Sequence, residues 1–523
     1  MANKVGREAH QTIDTFKGVN LTDPNHVIDD REFESVENLI ISDTGDLIRR
    51  KPLRYFAEFP VAQNNVNMLG IFYNRLLFST EDSVFLGPVD TDFSNSYVEV
   101  GVAGADAATA VLYNKNIYFW SDASSPSLTV TTVSDWTIDN PTFGSGTITG
   151  TPPTIIAKSV IFKDRCFAIK DPAEQSNRVF YSEIADPGNW QANNFFDVIP
   201  GDGDVITDII PFGERLFVFK KRSTYIIILS PDPSSWITKL FDAQIGAVCP
   251  FNAIEYRGLL YVMSARGLYR SDGTIYDYVG YPVQTRWEAE GPNIAAAIQN
   301  PYTTFMCMVD DYIFVNSGVE AIGRWFYNPV QNAWTECVFP SGQIATHSEL
   351  RQGYQGYLKN GARGTWFGWV KGTPVNLLWF GLGDPDMPTN EDYSDYVFHH
   401  ATPGSRVITP IHTEFKTKMW DNGAFYRGKR HKLSTIEMKV PEQNVVEDPA
   451  FTTFHNFNRE GTTPDYEFSM SLEDRGTWAQ PIPGTGHARR FQMCFESDCI
   501  SNYTVTGYDL TYILRRGISN EVE

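Results

Sequence analysis

At 523 residues the chain is longer than a single hydrophobic core normally supports, so two or three domains are expected. Apolar residues make up 42%, aromatic residues 14% and charged residues 20%, which excludes disordered and collagen-like classes. A formal charge of −20 excludes non-specific nucleic-acid binding, which needs clustered lysine and arginine to displace counterions from phosphates.

Residues Met1 to Gln11 are mostly polar and lead into no apolar signal-peptide core, and no apolar run reaches about eighteen residues. The expected product is therefore soluble and made in the cytoplasm, with no membrane partner. Residues 1–60 read as an N-terminal arm and hairpin. Thr44-Gly45 sits between the apolar runs Leu39-Ile-Ile41 and Leu47-Ile48, as a hairpin turn does. The polar stretch from Thr22 to Asp30 reads as an arm lying on a partner or a neighbouring domain, or as a disordered leader. If it is a detachable arm, losing residues 1–50 should leave soluble monomers that fail to assemble.

From residue 61 to 385 a strand-turn-strand pattern recurs. Six copies run Phe72 to Phe78, Leu112 to Tyr118, Phe162 to Ala168, Phe212 to Val218, Tyr256 to Val262 and Val309 to Val315. Their turn residues Asn74, Asn114, Asp164, Glu214, Gly258 and Asp311 lie 40, 50, 50, 44 and 53 positions apart, the repeat length of propeller blades. A polar or glycine turn between short β-branched and aromatic runs makes each copy a hairpin. A degraded seventh copy falls near Tyr357-Leu-Lys-Asn360. Trp136, Trp190, Trp236 and Trp334 follow their turns by 22, 26, 22 and 23 residues, as expected of an aromatic wedge between neighbouring sheets. Glycine, proline and aspartate interrupt almost every helical window. The expected class is all-β: a β-propeller of six to eight blades, with tandem β-sandwiches as the alternative.

Asp384-Pro-Asp-Met-Pro388 and the polar run after it read as a linker. Alternating segments at Ile408 to Lys418, Lys432 to Val440, Tyr466 to Leu472, Arg490 to Phe495 and Tyr503 to Leu514 then predict a β-sandwich-like domain over 386–523.

Chemical signatures are sparse. Cys166, Cys249, Cys307, Cys337, Cys494 and Cys499 form no CxxC pair and read as buried thiols, with a Cys494–Cys499 disulfide disfavoured in a reducing compartment. GxSxG, HExxH, Walker and post-strand GxGxxG patterns are missing. Gly201-Asp-Gly-Asp204 offers two carboxylates, too few for Ca²⁺, and reads as a turn. His399-His400 reads as a linker feature. Ser471-Leu-Glu-Asp-Arg-Gly-Thr-Trp478 looks like an Asp-box with its aspartate displaced, and reads as a turn closed by tryptophan. The basic run from Arg427 to Lys432 reads first as a solvated strand edge, and second as a contact to DNA or an acidic neighbour. Paired carboxylates for glycoside hydrolysis leave no sequence spacing.

Two groups of residues resemble the tail nozzle (tail tubular, hub) proteins of short-tailed bacteriophages. One is Phe16-Lys-Gly-Val-Asn20, Glu37-Asn38-Leu39 and Gly45-Asp-Leu-Ile-Arg49-Arg50-Lys51-Pro52. The other is Asn177 to Glu183, Asp186-Pro-Gly-Asn-Trp190, Gly201 to Asp204 and Phe212 to Lys220. The stretch Phe425-Tyr-Arg-Gly-Lys-Arg-His-Lys432 is similar in flavour. The resemblance implies a propeller joined to β-rich platform and tip domains. It also implies a homohexameric tube below the portal and adaptor, with a tail needle or fibres below and DNA passing through without sequence-specific binding. It places the protein in the virion tail and implies no cofactor, metal or catalytic residue. Phe16, Asn20, Arg49, Arg50, Arg427, Lys429 and Arg430 are the assembly-interface candidates. A glycan depolymerase and a receptor-binding tail protein are the alternative functions.

Overall fold

The computed structural model describes residues 8–24, 27–50, 53–58, 65–73, 75–80, 83–89, 98–102, 107–121, 128–135, 142–289, 304–319, 322–338, 350–357, 363–370, 376–381, 412–418, 429–440, 450–457, 466–471, 476–483, 487–488, 491–497 and 503–514. Trp136, Arg427, Cys499, the His399-His400 pair and the 384–388 linker lie outside them.

Each of the six sequence copies is the hairpin between the first two of four successive antiparallel strands that form a blade. Blade 1 runs Asn65–Phe72, Arg75–Ser79, Ser83–Pro88 and Val98–Val102, and blade 2 runs Ala107–Tyr113, Asn116–Ser121, Leu128–Val133 and Phe143–Ser145. Blade 3 is Ile156–Phe162, Arg165–Lys170, Arg178–Tyr181 and Phe195–Asp197, and blade 4 is Ile206–Phe212, Arg215–Lys220, Thr224–Ile228 and Ile237–Asp242. Blade 5 comprises Ala253–Tyr256, Leu259–Ser264, Gly267–Ser271 and Tyr276–Tyr278, and blade 6 Phe305–Val309, Tyr312–Asn316, Arg324–Asn328 and Ala333–Glu336. The hairpins are tight because the turn residues enter left-handed conformations: both Lys163 and Asp164, both Arg257 and Gly258, and the first turn residue at Asn114, Gly213 and Asp310.

Blade 7 is assembled from both sides of the propeller sequence. Leu350–Tyr357, Arg363–Val370 and Asn376–Gly381 pair in order, and Leu53–Glu58 adds the fourth strand. The Tyr357 hairpin is thus the degraded seventh copy. The first strands of the blades lie side by side in sequence, and that of blade 7 lies beside that of blade 1, so the series closes on itself as a β-propeller. Closure leaves no exposed inner edge, which an open array of sheets would carry.

Neighbouring first strands are stapled by buried polar groups. Ser159 N–H donates to Thr109 Oγ1 at 3.1 Å, and Lys158 Nζ donates to Asp208 Oδ1 at 2.5 Å. The N–H groups of Asn252 and Ala253 each donate to Asp208 Oδ2 at 2.9 Å, and Asn252 Nδ2 donates to the Thr304 carbonyl at 2.8 Å. This chain of contacts joins blades 2 to 6 in turn.

Two of the recurrent tryptophans are wedges as expected. Trp236 packs on Tyr181, Phe196 and Phe167 of blade 3 at 4.7, 5.6 and 5.7 Å, while its Nε1 donates to the Ser230 carbonyl. Trp190 stands perpendicular to Trp120 of blade 2 at 5.8 Å, with Nε1 donating to the Pro187 carbonyl. Trp334 donates to the Val279 carbonyl of blade 5.

Apart from the short pair Thr149–Gly150 and Asn189–Trp190, the remaining strands form a second unit of two sheets, drawn from both ends of the chain. In one sheet, Leu39–Ile41 and Leu47–Arg49 form the predicted Thr44-Gly45 hairpin, and Thr504–Leu514, Lys429–Val440 and Gly476–Pro483 follow. Glu8–Ile13 pairs with Thr504–Leu514 in the same sheet. The other sheet runs from the last strand of blade 6 through Gly18–Val19, Glu32–Glu37, Thr413–Thr417, Phe491–Ser497, Ala450–Phe457 and Tyr466–Ser471. The N-terminal segment is therefore not a detachable arm. Its strands are integral to this second unit, and Leu53–Glu58 belongs to the propeller. Of the Asp-box-like segment, residues 472–475 lie outside the described residues; the flanking strands Tyr466–Ser471 and Gly476–Pro483 belong to different sheets.

Candidate functional site

The N-terminal group of residues that carried the sequence resemblance converges where blade 6 runs into the second unit, while the second group lies in blades 3 and 4. Phe16 is buried between Phe33 at 5.3 Å and Tyr508 at 5.9 Å. Two residues on, Gly18 pairs in parallel with Trp334 of blade 6 at φ +86°, and a Cβ there would lie 2.4 Å from the Trp334 carbonyl oxygen. Only glycine tolerates both the left-handed backbone and that approach. Asn20 folds the following turn back on itself, its Oδ1 accepting from the N–H groups of Thr22 and Asp23 and its Nδ2 donating to Asp23 and Glu32.

Asn38 ties three segments together. Its backbone is left-handed at φ +58°, its Nδ2 donates to the His412 carbonyl at 2.7 Å, and its Oδ1 accepts from Arg50 Nε at 2.7 Å and Val338 N–H at 2.9 Å. Arg50 also donates to the Val338 carbonyl. N-terminal hairpin, blade 6 and C-terminal segment thus meet on one amide side chain.

Beside this staple the strand register builds a row of like charges. Glu336 lies opposite Glu37, Glu37 opposite Glu414, and Glu414 opposite Glu496, across four successive strands. Directly opposed residues point to the same face of a sheet, and like charges so placed repel. Burial pushes the carboxyls of Glu37, Glu336 and Glu496 above the ordinary glutamate range. Each is raised further by a neighbour in the row: Glu37 by Glu414, Glu336 by Glu37 and Glu496 by Glu414. Lys416 Nζ sits 2.6 Å from Glu414 Oε1, Arg286 lies at 4.0 Å from Glu336, and Ser35 donates to Glu414. Glu414, Cys494 and Glu496 bring donor atoms within 4.8 Å of one another, but the Lys416 ammonium already supplies the positive charge there. The arrangement is a partly neutralised carboxylate row, without the converging oxygens that a hard cation takes.

The other sequence candidates have structural placements. Phe16, Asn20, Arg49 and Arg50 are all buried, so their side chains join segments of this chain and are not displayed on its surface. Lys429 and Arg430 lie on Lys429–Val440, paired through the backbone with Leu514 and Ala488, and with Ile513 and His487, respectively. In the 201–204 loop, Asp202 bonds Lys220 Nζ at 2.6 Å and Asp204 accepts from the N–H groups of Val205, Lys221 and Arg222, so both carboxylates serve the turn. Cys166, Cys249, Cys307, Cys337 and Cys494 are buried free thiols. A cavity of about 470 Å³ lined by Thr12, Ile13, Asp14, Asp29, Asp30 and Arg31 holds acids already engaged: Asp29 by Lys17 and Arg31, and Asp30 by Lys418. Among the described residues, no helix is long and apolar enough to cross a membrane. Sequence reasoning missed the glutamate row because its members lie up to 459 positions apart and carry no local spacing.

Fold and site define an all-β protein: a propeller whose last strands continue into a second unit made from both chain ends. No protein-family model and no curated protein matches the chain. Solved structures similar to it are propellers of varied kinds. The extracellular domain of a putative one-component system from B. thetaiotaomicron aligns with a TM-score of 0.40 and 10% identity over 64% of this chain. The aligned part spans only 40% of that domain. A streptogramin B lyase aligns at 0.41 and 11% over 63% of this chain and 97% of its own. The Pan2 WD40 domain of Neurospora crassa aligns at 0.38 and 7% over 64% of this chain and 97% of its own.

Proposed function

We propose that the chain is a structural protein of a short-tailed bacteriophage virion. In this reading it is a non-catalytic wall element of the tail nozzle, six copies forming a tube below the portal and adaptor with a needle or fibres beneath. DNA leaves through the tube without sequence-specific contact. The observation that supports the reading is that Phe16, Gly18, Asn20, Asn38 and Arg50, which carry much of the resemblance, are the residues on which the joint between propeller and second unit depends. A likeness confined to decorative surface loops would have no such structural weight. The net charge of −20 fits a conduit that DNA passes without sticking.

Imaging of the purified protein, with its mass measured by light scattering, tests the proposal. Rings of six copies that attach to phage heads are expected. A monomer or trimer that releases reducing sugar from host capsule, or that binds host cells by itself, would overturn it in favour of a depolymerase or an adhesin.

A further inference from the structure

We infer that the glutamate row makes the junction between the propeller and the second unit a pH-responsive clamp, tighter in mildly acidic solution than at neutral pH and above. The geometry places Glu336 at the end of blade 6, Glu37 on the N-terminal strand, and Glu414 and Glu496 on two C-terminal strands. They stand opposite one another without a break. The row therefore spans blade 6, the N-terminal strand Glu32–Glu37 and two C-terminal strands that meet at the joint. The groups facing it are Lys416 and Ser35 from within the sheet, Cys494 beside Glu496, Arg286 from the short helix Gln284–Ala289, and His412 at the entry to Thr413–Thr417. Two cations and a histidine do not balance four carboxylates held at strand spacing. A proton taken up by Glu496, which stands opposite Glu414, relieves the repulsion and supplies a hydrogen bond.

The sign follows from linkage. The raised carboxyls hold protons more tightly in the folded joint than in the opened one, so closure is favoured as pH falls. That gain is complete below the ordinary glutamate value of 4.5 and is lost as pH rises through the raised values above it. Above those raised values the ionised carboxylates repel at strand spacing, which favours opening.

Hydrogen exchange on the full chain tests the inference. After division by intrinsic rates, amides of Glu32–Glu37 and Thr413–Thr417 should exchange several-fold faster at about pH 8 than at about pH 5.5, while those of blade 4 change little. Glu37→Gln and Glu496→Gln, made singly so that each variant can fold, should each flatten that difference. Lys416→Met should enlarge it. His412→Gln keeps the carboxylates and should retain it. An unchanged pH response in both glutamine variants, or a response abolished only by His412→Gln, overturns the assignment.

Discussion

At the residue scale, three left-handed glycines separate two physical costs. Gly18 and Gly150 both sit against a tryptophan-bearing strand, at φ +86° and +78°, with a Cβ position 2.4 Å from the Trp334 oxygen and 1.9 Å from the Trp190 oxygen. Gly201, at φ +88°, has nothing within 4 Å. Gly201→Ala should therefore cost only about 1 kcal/mol of backbone strain. Gly18→Ala adds a clash with fixed backbone and should cost at least about 2–3 kcal/mol, measured by urea unfolding. Equal losses for the two would show that the approach to Trp334 is not the constraint. The Lys158–Asp208 pair is a second residue-scale test. It is buried, and Asp208 also accepts from three backbone N–H groups. Lys158→Met leaves that carboxylate without its counter-charge and should destabilise by about 3–5 kcal/mol in the same assay.

At the element scale, the hairpins were legible because their code is local. An aromatic or aliphatic run, two turn residues and another apolar run lie within seven positions, and all six copies became the first hairpin of a blade. After Val407 the same local code marked some strands but not Ala450–Phe457 or Gly476–Pro483. The bulges that recur in the first strands of blades 1 to 4 were not legible. Their residues, around Leu69, Ala108, Ala157 and Thr207, are not of one type, so the extra residue in each strand carries no common signal. The tryptophan wedges lie between these cases, being visible as a spacing but assigned a partner only by packing. Trp236→Ala should cost about 3–5 kcal/mol, seen as a lowered thermal midpoint, whereas Trp236→Phe should recover part of that by keeping contact with Tyr181 and Phe196. Full recovery would assign the loss to the Trp236–Ser230 hydrogen bond no weight at all.

At the scale of the whole molecule, both ends of the chain are built into one unit, and this changes what truncation does. Residues 1–50 supply Phe16, Val19, Phe33, Val36, Leu39, Ile41 and Leu47 to a core shared with blades 5 and 6 and the C-terminal strands. Their deletion should expose that core and give aggregated protein in a solubility and light-scattering assay. Soluble, folded monomers would mean instead that the segment is an arm lying on a partner or neighbouring domain, as its polar stretch suggested.

Composition and turn spacing by themselves determined the all-β class and the repeated hairpin, because each depends on contacts within a few dozen residues. Only tertiary structure decided that strand 53–58 completes blade 7, that residues 8–49 pair with residues 413–514, and that four distant glutamates stand in one row. Pairing between strands hundreds of positions apart is selected by side-chain fit and register over the whole sheet, and no short window of sequence contains that information.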